Sequence, residues 1–272
     1  MKFLQQLFSF YINSSIHVAL SVYALTWITL MELNLNYNTP VLYFVFYAAI
    51  TGYNFVKYFG IAKFRHRRLA NWLKLIQMLS LVCFLLMCFY AIQLQMITLI
   101  LIGLFAVLTF LYAIPLLSKR QRTLRSISGL KIYIIALVWT GVTVFLPLID
   151  QGFDFTTDSI LLGVQRFVYI IVLMLPFEIR DLKYDSLSLI TIPQKLGIQK
   201  TKGLGAMLLV IIFFLEYFKN DIELERLIPF VITMGVTMVL LFNSKINQSK
   251  YYCSFGVEAL PILWLVLLFI FV

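Results

Sequence analysis

The chain has 272 residues, of which 62% are hydrophobic and only 12% are charged. This composition excludes an ordinary soluble domain and predicts a protein that crosses a membrane several times. The formal net charge of +10 would also suit a nucleic-acid-binding protein. Most of the basic residues, however, lie in alternate loops between apolar segments, which is a topological pattern, so we expect no nucleic-acid partner.

Nine apolar segments follow one another along the chain, with lengths close to those that span the hydrocarbon core of a bilayer. They cover approximately residues 14–32, 40–60, 72–91, 94–114, 129–149, 159–178, 203–218, 227–243 and 257–272. Residues 3–13 predict either an interfacial helix or an extension of the first span. Because no soluble domain or linker interrupts the series, we expect one polytopic, all-α transmembrane domain over residues 1–272.

The distribution of charge predicts the orientation of these spans. Basic residues are concentrated before the first span and in the loops after the second, fourth, sixth and eighth spans, whereas the remaining loops are mainly acidic. The positive-inside rule then predicts a cytoplasmic amino terminus and an external carboxy terminus, and we expect a bacterial cytoplasmic membrane.

One acidic row runs against this trend on the predicted cytoplasmic side. Glu178, Asp181 and Asp185 are spaced i, i+3 and i+7, which places them on one face if the helix continues. Carboxylates in this arrangement are suited to Mg²⁺, which prefers oxygen ligands and often bridges to phosphate. The alternative is a solvated loop in which Arg180 and Lys183 pair with the acids.

Two further groups lie at the same predicted side of the membrane. Asn54 and Lys57 share a helical face at the end of the second span, where Lys57 is either a diphosphate ligand or a snorkelling anchor. Tyr112 ends the fourth span and is followed by Lys119 and Arg120. Basic side chains at a helix exit can bind phosphate oxygens, although such loops are common in membrane proteins.

Two charged residues lie in or beside the later spans. Arg166 either extends outward towards Asp158, which costs less, or has a buried polar role. Glu258 opens the ninth span and is expected to pair with Lys250. The chain carries no P-loop and no GxGxxG motif, so neither ATP-driven nor dinucleotide chemistry has support.

The segment EIRDLKYDSLSLITIPQKLG, residues 178–197, resembles the second acidic motif of the UbiA superfamily of intramembrane prenyltransferases. In that motif an acid-x-x-Asp-x-x-x-Asp row precedes Thr-Leu-Pro and then Leu-Gly. LYAIPLLSKRQRTLRSISGLK, residues 111–131, resembles the family's Tyr-Pro-Lys/Arg segment after the fourth helix. The resemblance implies nine helices around a central cavity. It also implies transfer of a prenyl group from an isoprenyl diphosphate to an aromatic or lipid-like acceptor.

The sequence departs from the family at its first acidic motif, which should close the second helix. Here Asn54 is kept, no acid follows it, and Lys57 lies where negative charge is expected. The resemblance therefore implies one Mg²⁺ and argues against a second. The residues that it implies are Asp181 and Asp185 in catalysis, Glu178, Asp181 and Asp185 as metal ligands, and Asn54, Lys57, Tyr112, Lys119 and Arg120 in binding the donor.

Two other functions stay open at this point. The loss of the first motif also fits a catalytically inactive protein that binds an isoprenoid lipid. A secondary transporter is disfavoured because few ionisable residues lie near the middle of the spans and no internal repeat is present.

Overall fold

The computed structural model describes residues 2–64, 71–113, 129–185, 189–220 and 223–272. Over these ranges the chain forms α-helices and two π-helical turns, and no strand is found in them. The helices are α1 Lys2–Asn13, α2 Ile16–Glu32, α3 Thr39–Phe64, α4 Asn71–Ala91, α5 Met96–Ala113, α6 Lys131–Thr140, α7 Leu146–Asp150, α8 Thr157–Asp181, α9 Ile192–Leu196, α10 Ile198–Glu216, α11 Leu224–Asn243 and α12 Leu260–Phe271. The π-helical turns are Gly141–Phe145 and Tyr252–Val257.

The predicted apolar segments coincide with helices, which confirms an all-α membrane protein. Within the described ranges, seven segments are long and apolar enough to cross a bilayer, and the pair α1–α2 makes an eighth candidate. The apolar stretch of α5, Met96–Tyr112, falls just short of that length. The predicted count of nine spans is therefore not confirmed.

Helices α1 and α2 form one apolar unit with a bend of 56° between them. The bend occurs at Ser15, whose φ of 65° and ψ of 16° are left-handed. A non-glycine residue in this conformation is uncommon and requires support from its surroundings. Residues 3–13 are thus part of a helix that leaves the first span at an angle.

The long helices pack as a closed bundle. Neighbours along the chain contact one another through α2–α3–α4, α6–α8, α8–α10, α10–α11 and α11–α12, and α12 returns to contact α2. The largest buried apolar cluster lies between α2, α6, α8, α10, α11 and α12. This closure brings residues from the first and last helices to the same end of the bundle.

The predicted acidic loops meet at the opposite end. Lys219 forms ion pairs of 2.8 Å with both Glu32 and Glu216, and the Asn38 amide donates to Asp150 Oδ2 at 2.8 Å. These contacts join loops that the charge pattern assigned to one side of the membrane.

Arg166 does not reach outward to Asp158 as the less costly interpretation predicted. It is 1% exposed, donates to the Leu25 carbonyl at 2.8 Å and lies 5.6 Å from the centre of the Trp264 ring. Its role is therefore the buried polar one, because a guanidinium inside a bundle needs protein acceptors in place of water.

Candidate functional site

Four helical segments meet at the side of the bundle opposite Lys219. They are the last turns of α3, the first turn of α6, the last turn of α8 and the π-helical turn that leads into α12. The side chains of Lys57, Lys131, Arg180 and Glu258 interact electrostatically with groups on other segments there. The acidic row of α8 and the polar end of α3 therefore belong to one site.

The acidic row is occupied by a cation of the protein itself. Lys131 Nζ lies 3.7 Å from Asp181 Oδ2 and 3.9 Å from Asp185 Oδ2, and Arg180 Nε donates to Asp181 Oδ1 at 2.8 Å. The side chains of Lys131, Asp181 and Asp185 are 10%, 20% and 15% exposed. An ion-paired arrangement forms, with Lys131 added to Arg180, but it is largely shielded from water and so differs from the solvated loop considered from the sequence.

Lys183 is not in the set of cations that pair with this row. Its ammonium lies 4.9 Å from the centre of the Tyr184 ring, and no ion pair between it and an acid is found in the described part of the chain. Of the two cations in the alternative, Arg180 pairs with Asp181 as expected and Lys183 does not join it.

Glu178 lies deeper than the two aspartates. It is 2% exposed, and its Oε2 accepts a hydrogen bond of 3.4 Å from the Ile192 backbone N–H at the start of α9. A cavity of about 10 Å³ beside it is lined by Gly129, Lys131, Ile132, Glu178, Leu189, Thr191 and Ile192. That volume suits roughly one water molecule.

The three carboxylates do not form a ready-made metal site. Across the residues described, no group of three or more His, Cys, Asp or Glu side chains is placed to hold a metal ion. The carboxylates of Asp181 and Asp185 both face the Lys131 ammonium. The Glu178 carboxylate instead accepts from the backbone of α9. The residues present therefore do not fit a preformed Mg²⁺ site, and Mg²⁺ binding by them stays a prediction.

Asn54 is tied to the bend between α1 and α2. It is 3% exposed, its Oδ1 accepts from Ser15 Oγ at 2.8 Å, and its Nδ2 donates to the Ser14 carbonyl at 3.0 Å and to Ser80 Oγ at 2.8 Å. Both amide hydrogens are thus used within the protein. This arrangement gives Asn54 a positioning role, and a direct contact with a diphosphate stays a prediction.

Lys57 lies one turn further along α3 and shares the Ser15 hydroxyl with Asn54. Its Nζ donates to Ser15 Oγ at 3.1 Å, and its charge interacts with Glu258. Glu258 in turn interacts with Arg180, so it lies between the end of α3 and the end of α8. The expected pairing of Glu258 with Lys250 is not found within the described residues, where the Lys250 ammonium lies 5.4 Å from the centre of the Tyr251 ring.

Lys57 is exposed to solvent, whereas Glu258 is half-buried. The Tyr53 hydroxyl accepts a hydrogen bond from Trp139 Nε1 at 2.8 Å, and Tyr53 interacts electrostatically with Glu258 and Tyr112. Tyr112, at the end of α5, therefore lies near the same end of the bundle, and its contact with a donor stays a prediction.

The other two predicted phosphate ligands, Lys119 and Arg120, lie outside the described residues. Sequence reasoning did not assign Lys131 or Glu258 to the site. For Lys131 there was a signal, because a single lysine opens an otherwise apolar helix. For Glu258 the corresponding signal was a lone carboxylate close to the start of the last apolar run.

Two solved structures have the same fold. A UbiA homologue from Aeropyrum pernix K1 has a TM-score of 0.66 at 12% sequence identity, with 94% of this chain and 98% of that chain covered. A structure reported with insights into the biosynthesis of digeranylgeranylglyceryl phosphate synthase in membranes has a TM-score of 0.56 at 16% identity, with 98% and 97% covered.

No protein-family profile matches the sequence, and no curated protein matches it at a significant level. At identities of 12% and 16% the two structural similarities show the fold and not the activity. The chain is therefore a multi-pass membrane bundle with the fold of the UbiA prenyltransferases, as the resemblance of residues 178–197 predicted.

Proposed function

We propose that this protein is an intramembrane prenyltransferase that uses an isoprenyl diphosphate as donor and an aromatic or lipid-like molecule as acceptor. In the reaction, the bond between the allylic carbon and the diphosphate oxygen breaks, and its electron pair leaves with the diphosphate. The acceptor then bonds to the allylic carbon and releases a proton. The protein's task is to stabilise the leaving group and to exclude bulk water from the cation.

The observation that carries this proposal is the convergence of Lys57, Lys131 and Arg180 at the charged mouth of a bundle with the UbiA fold. Fixed ammonium and guanidinium groups stabilise phosphate oxygens directly. The site also holds the three acids of the row and Glu258, so an incoming diphosphate would have to displace carboxylates from these cations in order to bind them. Lys119 and Arg120 are proposed as further phosphate ligands.

Proposed roles also follow for the acids. Asp181 and Asp185 hold Lys131 in place and are proposed to act in catalysis through it, whereas Glu178 supports the row from its buried position. We also propose that the mouth carrying these residues faces the cytoplasm, because the basic loops lie on that side of the sequence pattern.

A turnover assay tests the function. Purified protein in detergent is incubated with radiolabelled prenyl diphosphates of several lengths and a panel of phenolic and lipid-alcohol acceptors, with and without Mg²⁺. Release of diphosphate with label in the acceptor supports the proposal. The matched variant is Asp181→Asn, which keeps the size of the side chain and should lower turnover by at least tenfold.

A second function is favoured by one specific observation. The aspartates of the row are already paired with Lys131 and Arg180, and aspartates engaged in this way suit binding without chemistry. On this alternative the protein holds an isoprenoid lipid or diphosphate and releases it unchanged. Binding of the labelled donor with no diphosphate released over many hours would favour this alternative.

A further inference from the structure

The acidic row has an unusual internal arrangement. Its two aspartates come from the end of α8 and the residues that follow it, yet both turn an oxygen towards Lys131 Nζ, at 3.7 Å and 3.9 Å. Lys131 comes from the first turn of α6, and its side chain is only 10% exposed. The three groups therefore form a shielded bridge between two helices.

One oxygen of the second aspartate lacks a hydrogen-bond donor within the described residues. Asp185 Oδ2 is fully buried and receives no hydrogen bond within the described part of the chain. A buried carboxylate oxygen without a donor is costly unless a cation lies near it. The ammonium at 3.9 Å is the group that compensates its charge.

Space and charge argue that this ammonium and a divalent ion exclude one another. Mg²⁺ binds oxygen at about 2.0–2.1 Å and requires near-octahedral geometry. An ion placed between the two aspartates would lie within a few ångströms of Lys131 Nζ, where like charges repel strongly in a shielded site. Arg180 already occupies the remaining oxygen of Asp181 at 2.8 Å.

We propose that Lys131 is the resident cation of the acidic row, so that its ammonium takes the position between Asp181 and Asp185 that a divalent ion would need. The chain then binds a diphosphate without first binding a metal, and Lys131 is a binding residue for that group. The choice of diphosphate as ligand rests on the proposed function, whereas the exclusion of metal rests on the ion pairs alone.

Metal binding by the purified protein tests the exclusion. Mn²⁺ is titrated in place of Mg²⁺, and the free ion is followed by electron paramagnetic resonance without any prenyl donor. We expect weak binding by the wild type and at least tenfold tighter binding by Lys131→Gln, because the two aspartates would then face each other without a cation. The double variant Lys131→Gln with Asp181→Asn should lose the gained site.

Two controls separate the charge of Lys131 from other effects. Lys131→Arg keeps the positive charge and should behave as the wild type does. Lys183→Gln removes a lysine from the same loop, where it faces Tyr184 and not the row, and it should leave Mn²⁺ binding unchanged.

Several results would overturn the proposal. One is a wild-type protein that binds one Mn²⁺ as tightly as Lys131→Gln, and another is a folded Lys131→Gln with no gain. If Lys131→Gln does not fold, Mn²⁺ binding by the wild type still tests the proposal. Tight Mn²⁺ binding by the wild type that Asp181→Asn abolishes would contradict the proposal, whereas weak binding by the wild type would support it.

Binding of inorganic pyrophosphate tests the other half. Calorimetry in the presence of a chelator should detect pyrophosphate binding by the wild type and at least fivefold weaker binding by Lys131→Gln. Binding that requires added Mg²⁺ would refute metal-free recognition. Neither the Mn²⁺ titration nor the pyrophosphate titration uses prenyl transfer. This inference can therefore fail while the proposed activity stands, and the proposed activity can fail while this inference stands.

Discussion

Replacing Asn54 with alanine should destabilise the protein itself, because Asn54 joins separate parts of the fold. The change removes the hydrogen bonds with Ser15 Oγ, the Ser14 carbonyl and Ser80 Oγ, at 2.8, 3.0 and 2.8 Å. It thereby removes the link from the α1–α2 bend to α4 through Asn54 and weakens the link to α3, where the Lys57 to Ser15 hydrogen bond remains. It also leaves Ser15, in its left-handed conformation, with less support.

The magnitude follows from the number of bonds. Hydrogen bonds between helices in membrane proteins contribute on average about 0.6 kcal/mol and at most about 1.7 kcal/mol each. Three bonds at the average give about 2 kcal/mol. Since about 1.4 kcal/mol corresponds to a factor of ten, the ratio of folded to unfolded protein should fall roughly 30-fold.

The assay is equilibrium or thermal denaturation of purified protein in one detergent, with Asn243→Ala as the matched control. Asn243 is exposed and donates a single hydrogen bond of 2.9 Å to the Val239 carbonyl. Its replacement should change stability by less than about 0.5 kcal/mol. If Asn54→Ala keeps the wild-type midpoint but loses pyrophosphate binding, then Asn54 is a ligand and the positioning role is wrong.

Three other changes test separate parts of the structure. Lys57→Ala should abolish transfer in the turnover assay while the protein stays folded by size-exclusion chromatography, and full activity would show that its ammonium is not needed. Gly141→Ala should destabilise by about 1–3 kcal/mol in thermal denaturation, because a Cβ there would collide with the Phe105 ring. Adding Phe105→Ala should recover part of that loss, and no recovery would exclude this clash as the cause. Burial by itself lowers the pKa of Lys219. The charges of Glu32 and Glu216 outweigh this effect and raise the pKa of Lys219 above its ordinary value. The stabilisation by Lys219 should then be complete at neutral pH and be lost only as the pH rises through that raised pKa, and a Lys219→Met variant measured across the same range should lack this alkaline loss.

The sequence predicted the helices well because their signal is local. A run of apolar residues long enough for a bilayer is visible without knowledge of the neighbours, and alternate basic loops showed which ends of the helices meet. The contacts of Lys219 with Glu32, 187 residues apart, agree with that grouping. The bend at Ser15 carried no comparable signal, because it depends on Asn54 in another helix.

The site was predicted only in outline, for a physical reason. The spacing of Asp181 and Asp185 identified an acidic row, but spacing within one segment says nothing about which cation approaches from elsewhere. Lys131 reaches the row from a helix that starts 50 residues earlier in the chain. Glu258, whose charge interacts with that of Lys57, likewise comes from the far end of the sequence.

The hydrogen bonds of Asn54 also have a consequence for assembly during synthesis. All their partners lie within the first 80 residues, so we expect this helical junction to form soon after the fourth helix enters the membrane, since chains acquire structure from the amino terminus onward. Glu258 is made 178 residues after Ser80 (258 − 80). Nascent chains halted before its codon should therefore already resist proteolysis around Asn54, with Lys57 still lacking its acidic neighbour.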